Sequence, residues 1–390
     1  PDFDASMPLG LIAIGTALDY NNHEVEILDR NLNPSNEYLK NLLKRNYNFV
    51  GIGSFTGKML YDALDVSKIV KENSQTITIW GGFHPTIVPE NTLNNPFVDH
   101  IIRGEGEETF LNILELYEKG KRFNKIKGVD LNPLATPPDI NKFPVMNYGL
   151  VDIKKYPHFY VSTSRGCPYK CTFCYNSYGG ESVKPYRNLQ VEKVKELIRD
   201  VVLKYRKKTF TIVDDNFPSD KKRMTEICKE LSKYNVRFDT FSRANYADLD
   251  NLSVLKKAGC WQIQIGVESG SQRMLNFMKK GTSVKMNATA IKNCHKIGIM
   301  SHASFMIGIP TETIEDINQT IKFIKITKPD LGGAGIFNPF PKTVLWDYCV
   351  ERNLIKKPKN IEEWADSYQG FDSPKMNVSG IPDETLMKYY

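Results

Sequence analysis

The sequence predicts an α/β protein built from two parallel-sheet domains, the first doubly wound and the second a partial (β/α)6 barrel. Three observations carry that prediction. Short apolar runs alternate with stretches of helical period in both halves of the chain. Between residues 121 and 156 the periodicity fades and Pro133, Pro137, Pro138 and Pro144 cluster, as in an extended linker. The 390 residues suffice for two or three cores at ~100–200 residues each. The expected divisions are 1–120, a linker 121–156, the barrel 157–355 and a capping segment 356–390 that includes Trp364 and Tyr368.

In the first domain, residues 9–21 have helical spacing and 23–28 alternate as a strand. Residues 39–43 read as helix and 48–54 as a short apolar strand. Leu60, Ala63, Leu64, Ser67 and Val70 then recur at the spacing of one helix face. A strand at 76–80 ends on the turn Gly81-Gly82, and a strand at 98–102 precedes a helix at 107–117. Such a domain usually opens with a strand, and here that strand is expected to be missing ahead of Pro1. In the second domain, strand-like runs recur at 159–164, 209–214, 236–242, 260–267, 302–307 and 331–337. Helical patterns lie between them, the clearest being Val191, Val194, Ile198, Val201 and Tyr205, then Met224, Ile227, Cys228 and Leu231. Six such units in order predict a barrel with its site at the C-terminal strand ends.

Composition narrows the function. Apolar residues make up 41% and charged residues 25%, a globular balance that argues against long disorder. No apolar run approaches the ~18–20 residues that cross a bilayer. The net charge of +7 comes from scattered Lys and Arg, a hint of an anionic ligand; no basic stripe interleaved with aromatics argues for nucleic acid. Three of the seven Cys crowd between 167 and 174, which fits reduced, metal-ligating thiolates better than a secreted disulfide framework. A cytoplasmic, reducing compartment is therefore expected.

The sharpest signal is Arg165-Gly166-Cys167-Pro168-Tyr169-Lys170-Cys171-Thr172-Phe173-Cys174, directly after the first barrel strand. Thiolates ligate iron-sulfur clusters, and a complete 4Fe-4S site takes four of them. Three Cys hold only three irons, so the fourth keeps an open position, as a catalytic zinc does. A zinc knuckle is the other chemistry open to such a loop, but it wants a fourth Cys or a His close by. His158 is the only His near, on the wrong side of a strand.

At this motif the chain resembles the radical S-adenosylmethionine superfamily, whose hallmark is Cys, three residues, Cys, two residues, Cys, with an aromatic before the last. Phe173 fills the aromatic place. The resemblance implies a 4Fe-4S cluster on Cys167, Cys171 and Cys174, with S-adenosylmethionine chelated through its amino and carboxylate groups to the free iron. One electron then cleaves the sulfonium to a 5'-deoxyadenosyl radical. Residues 212–217 resemble the second-strand segment of the cobalamin-type subgroup, which implies a cosubstrate contact at Asp215. Arg243 matches a third-strand position that pairs with the cosubstrate carboxylate, a task suited to a planar bidentate donor. Gly266-Val267-Glu268-Ser269-Gly270-Ser271 resembles the fourth-strand motif near ribose and methionine. Residues 305–313, with Gly308, resemble the fifth-strand segment near adenine, and 338–343 the sixth-strand ending.

Each match has a plainer reading. Asp214 and Asp215 could cap the next helix, although Ser219 and Asp220 offer the same service. Glu268 could be a solvated loop charge, but the two glycines beside it would let a ligand approach the backbone. Cys228 and Cys294 fall on apolar helix faces and are expected to pack in the core, Cys260 begins a buried strand and Cys349 lies on a late helix, so no second cluster is expected from four Cys so separated in the chain. Methylthiotransferases share the barrel but carry N-terminal cluster Cys, and this chain has none before Cys167.

The first domain resembles the Rossmann-like cobalamin-binding domain of the same subgroup. There a loop Asp-x-His-x-x-Gly places His beneath cobalt; here the loop runs Asp29-Arg30-Asn31-Leu32-Asn33-Pro34, with Asn31 in the His place. An amide is a poor cobalt ligand, so base-off cobalamin without a His ligand is implied. Ser54-Phe55-Thr56 resembles the Ser-x-Thr segment that meets the displaced dimethylbenzimidazole tail, and Gly81-Gly82 the glycine pair flanking it. Both lie at C-terminal strand ends, where such sheets bind ligands. The alternative is a domain that has lost cobalamin and serves as a wall.

The resemblance implies a cobalamin-dependent radical S-adenosylmethionine methyltransferase. It would act on an unactivated carbon or a phosphinate phosphorus of a small molecule or peptide, with a flavodoxin or ferredoxin as reductant. Cobalt would accept a methyl from one S-adenosylmethionine while a second is cleaved to the radical that abstracts substrate hydrogen. The alternatives are a non-methylating cyclase or ring-rearranging member, and a non-catalytic iron-sulfur sensor.

Overall fold

The chain enters its first unit through α1 (Leu9–Tyr20) and α2 (Asn36–Leu43), seen in a computed structural model that describes residues 6–180, 185–367 and 377–390. Ser35 starts α2 by accepting from the Tyr38 amide. Then come β1 (Phe49–Ser54), α3 (Met59–Asn73), β2 (Ile77–Gly82), the short helices α4 (Phe83–Ile87) and α5 (Pro89–Leu93), β3 (His100–Ile101) and α6 (Glu107–Glu118). The three strands form one parallel sheet in the order β1-β2-β3, with Ser54 opposite Gly82. Trp80 on β2 is fully buried, and its indole nitrogen donates to Ser67 Oγ of α3 at 2.7 Å, which pins helix to sheet.

Two features of this unit depart from expectation. Residues 23–28 form no strand: they lie extended against α1, with Val25 and Ile27 packed at Gly15. Their alternation records one half-buried side without a ladder partner. Residues 121–156 also contribute to the first unit's interior, because Phe123, Val129, Ile140, Tyr148 and Tyr156 are apolar enough to be buried there. Val129 bridges Ile102 beyond β3.

The second unit begins with β4 (Tyr160–Val161). The strand expected at 159–164 breaks after two residues, and β5 (Ser164–Arg165) pairs antiparallel with β6 (Arg187–Asn188). There follow α7 (Val191–Arg199), β7 (Thr209–Ile212), α8 (Lys221–Leu231), β8 (Arg237–Ser242), α9 (Leu249–Lys257) and β9 (Cys260–Glu268). After them come α10 (Gln272–Phe277), α11 (Val284–Ile297), β10 (Met300–Ile307), α12 (Ile314–Thr327), β11 (Leu331–Ile336) and α13 (Val344–Glu351). The sheet runs β11-β10-β9-β8-β7-β4, all parallel, and its outermost strands do not pair with each other. It is an open, partial barrel. The loop after each of β7, β8, β9, β10 and β11 ends on a capping side chain, from Asp220, Asp248, Ser271, Thr313 and Thr343.

Chain contacts define two units, Pro1–Pro157 with Lys357–Gly370 and His158–Lys356 with Phe371–Tyr390. The segment 356–390 is thus shared between them. In the first unit, α14 (Ile361–Ser367) lies along α3 and buries Trp364. In the second, α15 (Asp383–Tyr389) buries Leu386 against Ile307, Ile317, Ile336 and Ile381. Tyr368 lies outside the described residues. Among the described residues no helix is long and apolar enough to cross a membrane.

Candidate active site

The cysteine loop leaves β5 through Gly166, whose φ of +76° suits a residue without a Cβ. Cys171 is buried, and Cys167 and Cys174 are partly so. Burial pushes the Cys167 thiol up, and the Cys174 thiol up to about 12, before any metal is considered. The middle of the loop is stapled to the barrel: the Thr172 amide donates to Met278 O and the Leu345 amide to Thr172 O, both at 3.0 Å. Phe173 packs on the core of Met274, Leu275 and Met278. Among the described residues no three His, Cys, Asp or Glu side chains converge on one ion. A cuboidal cluster asks for a different spread, one thiolate per iron.

Asp214 and Asp215 divide their work. Asp214 is fully buried at the end of β7 and accepts from the Thr163 amide at 2.6 Å, the Ser164 amide at 3.0 Å and the Thr163 hydroxyl at 2.5 Å. These bonds turn the chain out of β4 and into the cysteine loop, which is why the first barrel strand is short. Arg223 of α8 closes the clamp from the other side, donating to Thr163 O at 2.6 Å. Neither Asp caps α8, a role that falls to Asp220. Asp215 is partly buried, accepts from Tyr175 at 3.5 Å, and its charge helps to raise both Cys167 and Cys174.

Arg243 follows β8 and is buried. Its Nη1 donates to Cys171 Sγ at 3.3 Å, its Nη2 to Lys280 O, and the guanidinium lies over the Tyr169 ring at 3.7 Å. Nε has no partner among the described residues. Glu268 ends β9 with φ +66° and receives Lys280 Nζ at 2.6 Å. The flanking glycines make room for the protein itself. A Cβ on Gly266 would sit 2.4 Å from Glu268 Oε1, and one on Gly270 2.6 Å from the backbone of Thr320 on α12. Gly308 follows β10 with φ +80°, its amide donates to Glu312 Oε2 at 2.6 Å, and Leu386 stands over it. Burial lifts Glu312 to about 7.

Cys171, Arg243, Lys280 and Glu268 are therefore linked in a chain of contacts, and the charge of Asp215 acts on the other two cysteines. Lys280 was missed from sequence, and only its pairing with Glu268 in space reveals it, whereas Tyr169 and Glu312 lay within quoted motifs without a role of their own. Buried polar atoms without a partner gather around this chain: Thr172 Oγ1, Asn176 Oδ1, Ser177 Oγ, Asn216 Nδ2 and Thr282 Oγ1. Buried polar groups are normally satisfied by protein, water or ligand, so these atoms offer partners to water or to a polar ligand. The residues fit a cluster and a zwitterionic cosubstrate. Cys228, Cys260, Cys294 and Cys349 are buried elsewhere in the unit.

In the first unit, Ser54 Oγ donates to Gly81 O at 3.3 Å, and Thr56 Oγ1 lies 3.1 Å from His84 Nδ1. Gly82 has φ +99°, and a Cβ there would meet Ser54 O at 2.6 Å, whereas a Cβ on Gly81 would meet nothing within 4 Å. The two loops thus touch at Gly82 and leave space at Gly81, a cradle that fits an extended ligand tail. Phe55 and Phe83 stack beside it with centroids 4.9 Å apart. Asn31 is exposed, in a loop tied through Arg30 to Asp62 of α3 and through Asp29 to Tyr156.

Comparison with known proteins agrees with both units. Residues 161–324 match the model of the Radical SAM superfamily, and residues 5–114 that of the B12 binding domain. The chain is 32% identical over 369 residues to "Uncharacterized methyltransferase PH0819" of Pyrococcus horikoshii, covering 89% of this chain and 79% of that one. It is 27% identical over 351 residues to the anaerobic magnesium-protoporphyrin IX monomethyl ester cyclase of Rubrivivax gelatinosus, covering 82% of this chain and 59% of the cyclase. The fold matches that of the radical S-adenosylmethionine methyltransferase TsrM from Kitasatospora setae, solved with cobalamin and a [4Fe-4S] cluster. That match has a TM-score of 0.80 at 15% identity over 94% of this chain and 80% of that one. With a cysteine tripod in one unit and a glycine cradle in the other, the chain belongs to the cobalamin-dependent radical S-adenosylmethionine enzymes, whose cofactors are a 4Fe-4S cluster, S-adenosylmethionine and cobalamin.

Proposed function

We propose that this enzyme methylates an unactivated carbon or a phosphinate phosphorus of a small molecule or peptide. The observation that carries the reading is the likeness, over 89% of the chain, to a protein named a methyltransferase. When bound, the cluster supplies the electron that cleaves S-adenosylmethionine and cobalamin supplies the methyl carrier. Cys167, Cys171 and Cys174 hold the cluster, and Arg243 steadies Cys171 through its N–H to sulfur contact. Arg243 Nε, still uncommitted, and the Glu268–Lys280 pair receive the carboxylate and amino groups of the cosubstrate; Asp215, Phe173 and Gly308 line its remaining length. Ser54, Thr56, Gly81 and Gly82 hold the cobalamin tail, and Asn31 gives cobalt no imidazole. The barrel keeps water from the reacting carbon. A flavodoxin or ferredoxin in the reducing cytoplasm supplies the electron.

One observation favours a second reading: a relative at 27% identity is named a cyclase. Methyl-labelled S-adenosylmethionine separates them. Label recovered in the product supports transfer, whereas label left in methionine, with 5'-deoxyadenosine formed, supports ring formation.

A further inference from the structure

Resting on the cobalamin reading of the first unit, we propose that His84 is a contact residue for the nucleotide tail of the corrinoid, offering Nε2 to one of the tail's polar groups while Thr56 fixes the ring. His84 lies two residues past Gly82 on α4 and is fully buried. Nδ1 is engaged by Thr56 Oγ1 at 3.1 Å, whereas Nε2 is buried without a partner among the described residues. Burial holds the imidazole down to about 3, so it is neutral at any physiological pH. A neutral imidazole has one donor and one acceptor nitrogen, and Thr56 uses one of them. Leaving the other unfilled in the interior is unfavourable, so Nε2 calls for a water or a ligand group.

The surroundings say which ligand. Thr86, also on α4, donates to Gly82 O at 2.7 Å and accepts from the Gly104 amide at 2.9 Å, which ties the loops after β2 and β3. His84 ties the loop after β1 through Thr56. The helix thus gathers three C-terminal loops around the cradle, and His84 is its member with a polar atom to spare. The Trp364 ring packs edge-on at 6.0 Å and closes the α14 side. The tail brings phosphate oxygens, ribose hydroxyls and, when base-off, a free benzimidazole nitrogen, any of which can meet a neutral imidazole nitrogen. The corrin ring itself is not the expected partner.

The test compares binding of hydroxocobalamin and of diaquacobinamide, which lacks the nucleotide, to the full chain by equilibrium dialysis. Wild type should prefer hydroxocobalamin. His84→Phe, which keeps the bulk, should weaken hydroxocobalamin about tenfold and leave diaquacobinamide unchanged. His84→Gln, with an amide near the Nε2 position, should recover part of the loss. Equal weakening of both corrinoids would make His84 a loop prop and overturn the proposal, as would no change in either. If wild type binds neither, the cobalamin reading falls and takes this contact with it.

Discussion

Lys280 Nζ lies 2.6 Å from Glu268 Oε1, and both side chains are buried. Lys280 stands in the loop between α10 and α11, twelve residues beyond Glu268 at the end of β9, and its carbonyl also receives Arg243 Nη2. One residue therefore joins the loops after β8 and β9 beside the cysteine loop. Such a pair is costly to desolvate and costly to break.

Lys280→Met should destabilise the second unit by about 3–5 kcal/mol, because it leaves the Glu268 carboxylate buried without a counter-charge. Adding Glu268→Met should recover much of that loss. Urea denaturation of the two single variants and the double variant checks the coupling; additive effects would mean the pair is inert.

Asp214→Asn replaces an acceptor of three hydrogen bonds by a group whose amide end cannot accept. Bonds to a buried charged acceptor are worth about 1.5–3 kcal/mol each, so the turn into the cysteine loop should loosen. Iron bound per chain after anaerobic reconstitution should fall well below wild type. Asp220→Asn, which keeps a competent helix cap, should not lower it.

Gly82→Ala places a Cβ on Ser54 O in a left-handed conformation. Hydroxocobalamin binding should weaken by tenfold or more while iron content stays at the wild-type level. A parallel loss of iron would mean that the two units do not hold their cofactors independently.

Glu312 should make stability depend on pH. Burial raises its folded value from 4.5 to about 7, so the folded state holds the proton that the unfolded state has already released. The favourable contribution is complete below pH 4.5 and is lost as pH rises through 7, by up to about 3 kcal/mol. Glu312→Gln should remove this fall, so the wild-type-minus-variant difference in unfolding free energy should decline between pH 5 and 8. A flat difference would contradict the assignment.

The motifs singled out in the sequence sit in strand-end loops, where residue type is set by chemistry rather than packing. Cys171, Arg243 and Glu268, singled out on successive strands, fall within one contact chain that runs through Lys280. Lys280 was illegible: nothing local separates it from the neighbouring Lys279. Residues 23–28 misled because alternation reports one buried side and says nothing about a ladder partner. The glycines flanking Glu268 were read as room for a ligand, whereas a Cβ on Gly266 or Gly270 would meet the protein's own atoms. The segment 121–156 looked like a linker because its prolines mask apolar residues spaced too irregularly for helix or strand, yet Phe123 and Tyr148 are buried.

The central claim is tested most directly by Mössbauer spectroscopy of the anaerobically reconstituted, iron-57-labelled enzyme, with and without S-adenosylmethionine. A 4Fe-4S cluster held by three sulfur ligands predicts that addition of the cosubstrate shifts the signal of one iron in four. Four irons unmoved by the cosubstrate, or zinc in their place, would contradict it.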